Sequence, residues 1–487
     1  MKNSKSKLIS VLLSLAMMFC LMPTAVFAAE EMATATNGTT ITKETTQENL
    51  NDWAGEGAIE ITASGDVTTV RLLKNFNFSN GTTPITFGSG SADDVMVLDL
   101  NGHSISSTTM VIVSRCDLTI KDSATGGKIF MDTSSKPASA FSAIVNQKKL
   151  TIENGTFEAK IHDSQWSGGV IGSAVAGVET VINGGEFISN ATTISVSSGN
   201  TTVNGGVFSA GKYGVYARNT AVVDFPADTE AVVTSENFPI VVGESSSDQG
   251  KVNIDGGDFS GTSATALVGK TGEANPTEQV NISGGTFINS PADYVENGVF
   301  VVKDSSSYGV GDEATAIVEN AKAGDTLTFL QYDSEIIVPE GVEIKNDTGS
   351  PITVNGNTVE NGQEATATHN TIKTEAKDAS CTEQGNIAYW YCTICDKYYS
   401  DEECNNEITK EGTVIAKTAH TYKDGVCTVC GAKDPNYQSA VGSTDSQSDT
   451  NVKTGDDSNM LPIIALMSLA AAGIAGTALY GRRKKMQ

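Results

Sequence analysis

Aromatic residues make up only 6% of this 487-residue chain, and proline is scarce at 11. A sequence so poor in large ring side chains is not built around an ordinary large globular core or a helical bundle. Its 48 glycines suit stacked, turn-rich β structure better. Basic charge is the second shortage, with 32 Lys and Arg against 58 Asp and Glu. Between residues 29 and 454 the count is 25 against 56, a net of −31. Such a surface repels nucleic acid and anionic membranes, which reward clustered Lys and Arg, and it keeps a crowded surface protein soluble. Catalytic signatures are also missing: there is no Gly-x-Ser-x-Gly elbow, phosphate loop or Ser-His-Asp order, and Cys116 has no histidine nearby in sequence to activate it.

What is present begins at the two ends. Lys2, Lys5 and Lys7 precede an apolar run from Leu8 to Leu21 and then "AVFAAE", where Val26 and Ala28 offer small residues to a signal peptidase. The expected mature chain starts at Ala29, after a signal peptide over 1–28. Near the C-terminus an apolar run over 461–480 is long enough to cross a bilayer. Arg482, Arg483, Lys484 and Lys485 follow it and are expected to stay cytoplasmic. The tail "KTGDDSN", apolar run and basic stop together resemble the cell-wall sorting signal of Gram-positive surface proteins. The resemblance implies cleavage by a sortase between Thr454 and Gly455 and attachment to peptidoglycan. The family motif has proline two residues before the threonine, where this chain has Val452. A plain transmembrane anchor is the alternative.

The middle of the chain repeats one short phrase: LTIENGTF at 150–157, VINGGEF at 181–187, VNGGVF at 203–208, IDGGDF at 254–259 and ISGGTF at 282–287. A short alternating strand, a glycine turn and one large apolar residue are what a solenoid coil requires. Val181, Val203 and Ile254 are the expected inward residues. Phe157, Phe187, Phe208, Phe259 and Phe287 close each copy, and Asn183 and Asn204 are expected to bond their own turn backbone or to take the left-handed conformation. The interval from Phe208 to Phe259 has room for two coils, the first lacking the signature. "VLDLNGHSI" followed by serial (V/I)xNGGxF units resembles the right-handed parallel β-helix of Gram-positive surface proteins. The resemblance covers roughly 66–310. Calcium in these turns is disfavoured, because the Gly-Gly-x-Gly-x-Asp nonapeptide of calcium-binding repeats is absent.

Parallel β-helices also host polysaccharide lyases and hydrolases. Hydrolysis wants two carboxylates across a groove, and lyase chemistry wants a cation and a base. Asp93–Asp94 reads as a turn with solvated charge, and His103 belongs to the strand motif. His162 and Trp166, in "KIHDSQWSGG", form a candidate ligand contact because an aromatic platform accompanies polar groups in a coil-length insertion.

From residue 366 the composition changes, and six cysteines fall within 366–435, including the pairs Cys392/Cys395 and Cys427/Cys430. Such pairs can hold two corners of a zinc tetrahedron, although disulfides suit an exported chain equally. The patterns "CTEQGNIAYWYC" and "AHTYKDGVCTVCG" resemble small Cys/His repeats of bacterial surface proteins. That resemblance implies one metal site on His369, Cys381, Cys392 and Cys395 and a partial one on His420, Cys427 and Cys430, with no place for Cys404.

The sequence therefore predicts an all-β, right-handed parallel β-helix over 51–310 after a linker at 29–50. A β-rich extension or cap (311–365), the Cys/His module (366–435) as a stalk domain, a polar spacer (436–454) and the sorting signal (455–487) follow. The expected function is non-catalytic binding or adhesion to host or environmental glycans or to host secreted proteins. A carbohydrate-active enzyme and a passive surface coat or spacer are the alternatives.

Overall fold

The structure, a computed structural model, describes residues 32–438 except 79–82, 91–93, 137–141, 163–167, 244–248, 264–265, 272–274, 333–335, 369–370, 394, 403 and 405. It is nearly all β, and its parallel sheets fit a β-helix solenoid. Short strands bounded by glycine turns visit three sheets in rotation: Ile144–Asn146 in a nine-stranded sheet, Lys149–Ile152 in a ten-stranded one, Thr156–Lys160 in a fourteen-stranded one, then Gly169–Ser173 back in the first. Each strand pairs in parallel with its equivalents one coil before and after, so like side chains stack in columns. One column runs Ile144, Ile171, Ile194, Val215, Ile240 and Val268. Another runs Ile105, Ile129, Phe157, Phe187, Phe208, Val233, Phe259 and Phe287, all buried.

Coils repeat at the strand spacing of about 4.8 Å, which is also a comfortable distance between offset rings. The rings of Phe157 and Phe187 accordingly stack at 5.1 Å, Phe187 and Phe208 at 4.6 Å, and Phe259 and Phe287 at 5.5 Å. The ladder breaks at Val233, in the coil that the long Phe208–Phe259 interval contains.

The two glycines of each phrase have separate jobs. A Cβ on Gly184 would lie 2.8 Å from the Glu153 carbonyl oxygen, and one on Gly205 equally close to that of Asn183, so the first glycine lets neighbouring coils touch. Gly185 and Gly206 turn the chain at φ 110° and 111°, where a side chain is strained. The asparagines do not bond their own turns as expected. Asn183 donates to the Glu153 carboxylate at 3.1 Å, and Asn204 donates to Asn183 at 2.8 Å. The close approach that the first glycine permits brings side chains at this corner within reach across coils.

One inward assignment also changes. Val203 and Ile254 are buried, but Val181 is half-exposed and Ile182 occupies the column with Ile152 and Val203. The phrase at 181 carries one extra apolar residue before its asparagine, and a one-residue shift exchanges the two faces of a strand. Ile182→Thr is therefore expected to destabilise the chain by about 1–3 kcal/mol through a buried hydroxyl. Val181→Thr should stay within about 0.5 kcal/mol, and urea denaturation of the two variants checks the pair.

Both ends of the coil stack are covered. Within the stretch read as linker, 29–50, Thr40–Ile41 joins the nine-stranded sheet, and the helix Gln47–Ala54 starts there and runs past its expected end. Thr46 and Asn49 complete a capping box at its start, and its Leu50 and Ala54 are buried. Trp53 stacks on Phe76 at 5.5 Å and donates to the Asn37 carbonyl. At the other end the last strand paired in parallel along the stack is Gly285–Phe287, followed by a single parallel bridge from Val295 to Ile282. Tyr308–Val310 pairs antiparallel to Gly285–Phe287, and the helix Asp312–Asn320 packs its Ala314 and Val318 into a second apolar cluster spanning Val302 to Ala367. An uncovered end of such a stack would offer open sheet edges, which these elements close. Among the described residues no helix is long and apolar enough to cross a membrane, and the run 461–480 lies outside them.

Candidate functional site

The best-formed constellation of ligating side chains lies in the compact unit made of 379–385 and the chain from 416 onward. Tyr422–Lys423 and Val426–Cys427 form a hairpin whose turn, Asp424–Gly425, has φ 50° and 81°. Two consecutive left-handed residues define a type I′ turn, for which Asp-Gly is a preferred sequence. The Cys427 N–H donates to the Ala432 carbonyl at 2.8 Å and the Gly431 N–H to the Cys427 carbonyl at 2.9 Å, curling Cys427 and Cys430 into a knuckle. Opposite it, Ser380 accepts from the Thr382 and Glu383 N–H groups and, through its carbonyl, from Thr418. That turn presents Cys381 and brings the segment before His420 alongside.

The result is a set of four: Cys381, His420, Cys427 and Cys430, whose ligand atoms all lie within 4.8 Å of one another. Cys381 Sγ and Cys427 Sγ are 3.7 Å apart, and Cys430 Sγ and His420 Nδ1 are 3.3 Å apart. A tetrahedral zinc with bonds of about 2.3 Å to sulfur and 2.0–2.1 Å to nitrogen needs separations of roughly 3.5–3.8 Å, so the group fits a Cys3His metal site. The 3.7 Å sulfur separation is far beyond the roughly 2.05 Å of a disulfide. The Cys427 thiol is pulled down to about 5 by the backbone N–H groups of Cys430 and Val429 and by the His420 ring. Cys381 is pushed up to about 11 by burial and by the neighbouring Cys430 and Cys427 thiols.

Cys381 therefore belongs with the second expected set and completes it. The turn that Ser380 organises presents it to the 427–430 knuckle. The resemblance to Cys/His repeats had implied a site that grouped it with His369, Cys392 and Cys395. Those two lie in the other compact unit, their thiols in contact, with Cys395 Sγ 3.4 Å from the Tyr399 hydroxyl. His369, Trp166, Thr454 and Gly455 lie outside the described residues.

On the solenoid, His162 is half-buried just after the strand Thr156–Lys160. Asp94 is not solvated as expected but buried, and it accepts from the Ser89 N–H and hydroxyl. Burial and the charge of Asp94 push the Cys116 thiol up to about 12, which leaves it inert as a nucleophile.

No family model, curated protein or solved structure matches this chain. Its chemistry has to be read from its own surface. Charges on the coils are paired across neighbouring coils: Lys128 with Glu158, Lys149 with Asp117 and Glu179, and Lys160 with Asp132. Burial works against the Asp132 carboxylate, yet Ser134 hydrogen bonds and Lys160 hold it below its ordinary range. A general acid needs the opposite shift.

A feature missed in the sequence lies on the outer face of the nine-stranded sheet. Its strands Gly169–Ser173 and Thr192–Val196 are buried on both faces, and Tyr213–Ala217 and Phe238–Val242 nearly so. Tyr216 is fully buried yet stands apart from the solenoid core; it shares a hydrogen bond with Thr271 at 3.0 Å, and Arg218 lies 4.8 Å over its ring. Tyr213 lies 6.0 Å from Tyr216 and 6.4 Å from Phe238, with both Tyr213 and Phe238 half-exposed. The signal was the loss of alternation in "YGVYA" and "FPIVV", since strands covered on both faces are not polar at every second residue.

Proposed function

We propose that this chain is an exported surface protein of a Gram-positive bacterium that binds, without catalysis, host or environmental glycans or secreted proteins. In this reading a sortase joins Thr454 to peptidoglycan, and a zinc ion held by Cys381, His420, Cys427 and Cys430 staples a module too small to fold on its core alone. The solenoid winds right-handed, as connections between parallel strands of one sheet almost always do.

The aromatic cluster Tyr213, Tyr216 and Phe238 with Arg218 carries the binding reading. The half-exposed rings of Tyr213 and Phe238, set against the buried Tyr216 on which Arg218 lies, suit stacking on a sugar or anchoring a protein partner. The cross-coil ion pairs favour the non-catalytic reading, because they engage Glu158, Glu179 and Asp132 with lysines and hold these carboxylates in the charged form. The test is an array of polysaccharides, mucin glycans and secreted host proteins probed with the exported chain. Saturable binding is expected, weakened about tenfold or more in Tyr213→Ala or Phe238→Ala, as for an interface anchor. Binding to nothing on the array would favour a passive coat.

A further inference from the structure

The small sheet that holds Cys392 lies outside the metal group described above, and its two faces differ. Its strands Thr371–Thr374, Tyr389–Cys392, Tyr398–Tyr399 and Glu407–Ile408 pair antiparallel in that order. Residues directly opposite one another across such strands share a face. Ile372 stands opposite Tyr391, Tyr391 opposite Tyr398, and Tyr398 opposite Ile408, a row that crosses all four strands. Tyr389, two residues before Tyr391, lies on the same face. The buried residues Cys392 and Tyr399 are on the other face, with Trp390. The sheet therefore packs on that side and the row looks outward: Ile372 is 57% exposed, and Tyr389, Tyr391, Tyr398 and Ile408 are half-exposed.

The whole chain has only 12 tyrosines, and three of them meet here. Ring centroids are 5.6 Å apart for Tyr389 and Tyr398 and 5.0 Å for Tyr391 and Tyr398, with the rings tilted by 54° and 43°. No flat surface can lie on three rings so inclined, but a chain whose units turn from one to the next can. Tyr391 is held in place by donating its hydroxyl to Asp396 Oδ1 at 2.7 Å. Asp396 is exposed, and its second carboxylate oxygen is an acceptor for a hydroxyl. Charge narrows the partner further. Lys373 and Lys397 flank the rings, and each is paired with a carboxylate, Glu375 at 3.0 Å and Glu407 at 2.8 Å. Neither offers a free cation to an acidic polymer, which Asp396 and a formal net charge of −26 would repel.

We propose that this face binds a single neutral glycan chain, with the C–H faces of successive sugars on the three tyrosine rings and a sugar hydroxyl donating to Asp396. Ile372 and Ile408 extend the apolar floor at the two ends of the row. The Cys/His module is then a binding module in its own right and not a stalk alone. The inference is independent of the solenoid cluster, which lies on a different sheet.

The test is affinity electrophoresis of the full chain through gels containing glucomannan, xyloglucan or mannan in turn, with polygalacturonate as the acidic counterpart. It is run on the wild type and on a Tyr213→Ala, Phe238→Ala background that silences the solenoid cluster. In that background at least one neutral polysaccharide should retard the chain and polygalacturonate should not, with affinity falling about tenfold or more on adding Tyr398→Ala. Where Tyr398→Ala does not fold, Ile372→Ser replaces it, because an exposed position tolerates the change; retardation should weaken there too. No retardation by any neutral polysaccharide, retardation by polygalacturonate alone, or retardation undiminished by these substitutions overturns the inference. Retardation of the wild type that vanishes in the background overturns it as well, and leaves the solenoid reading standing. Retardation equal in both and lost with Tyr398→Ala upholds it and removes the solenoid cluster from binding of that glycan.

Discussion

Phe187→Ala should lower the stability of the solenoid by about 3–5 kcal/mol, among the larger effects available to a single substitution. The ring is fully buried between Phe157 at 5.1 Å and Phe208 at 4.6 Å, so truncation leaves a cavity with a stacked ring on each side. Neighbouring coils cannot collapse into it, because their strands are held at fixed spacing by parallel hydrogen bonds. Phe130 points outward from the strand Lys128–Asp132 and lies 5.1 Å beneath the Lys128 ammonium. Phe130→Ala should cost about 1 kcal/mol or less. Urea denaturation followed by far-UV circular dichroism separates the two, and equal losses would contradict the stacked-column account.

The second large effect is on the module that carries the Cys3His group. Chelation of zinc should release the 416–438 segment to proteolysis while the solenoid's circular dichroism stays unchanged, because the module has few apolar residues to hold it. Affinity should also depend on pH in a direction the thiols fix. With its thiol near 5, Cys427 is already a thiolate at neutral pH, whereas Cys381, near 11, must give up its proton to the metal. Between those values the proton that Cys381 gives up contributes about a tenfold rise in zinc affinity per pH unit, to which any proton displaced from the other ligands adds, and below about 5 protonation of Cys427 steepens the fall. Competition with a chromophoric chelator from pH 5 to 9 reads the slope. A flat profile would remove Cys381 from the ligand set.

The coil stack was legible because its signal repeats: five phenylalanines behind glycine turns say more together than any one copy. Even the coil without the phrase was visible as a double interval between Phe208 and Phe259. Where one copy carried an extra apolar residue, at Val181, hydrophobicity alone could not choose the face, and the pairing of Ile182 with Ile152 and Val203 decided it. The helix Gln47–Ala54 had a readable start in Thr46 and Asn49, but its polar surface resembles that of a linker until Trp53 is seen on Phe76. In the Cys/His module the residue types were legible and the grouping was not. Which knuckle receives Cys381 depends on a turn bonded to Thr418, far along the chain, and spacing carries no trace of it. The Tyr213, Tyr216 and Phe238 cluster was equally silent, since rings from neighbouring coils meet only once the register is known.

The central claim, binding without chemistry, is tested most directly by incubating the exported chain with any glycan or protein it binds saturably and analysing the mixture by mass spectrometry. The account predicts that the ligand is recovered intact at every time point, with Tyr213→Ala and Phe238→Ala reducing capture alone. Shortened or unsaturated sugars, or cleaved protein, accumulating in proportion to the wild-type chain would contradict it and mark the solenoid as an enzyme.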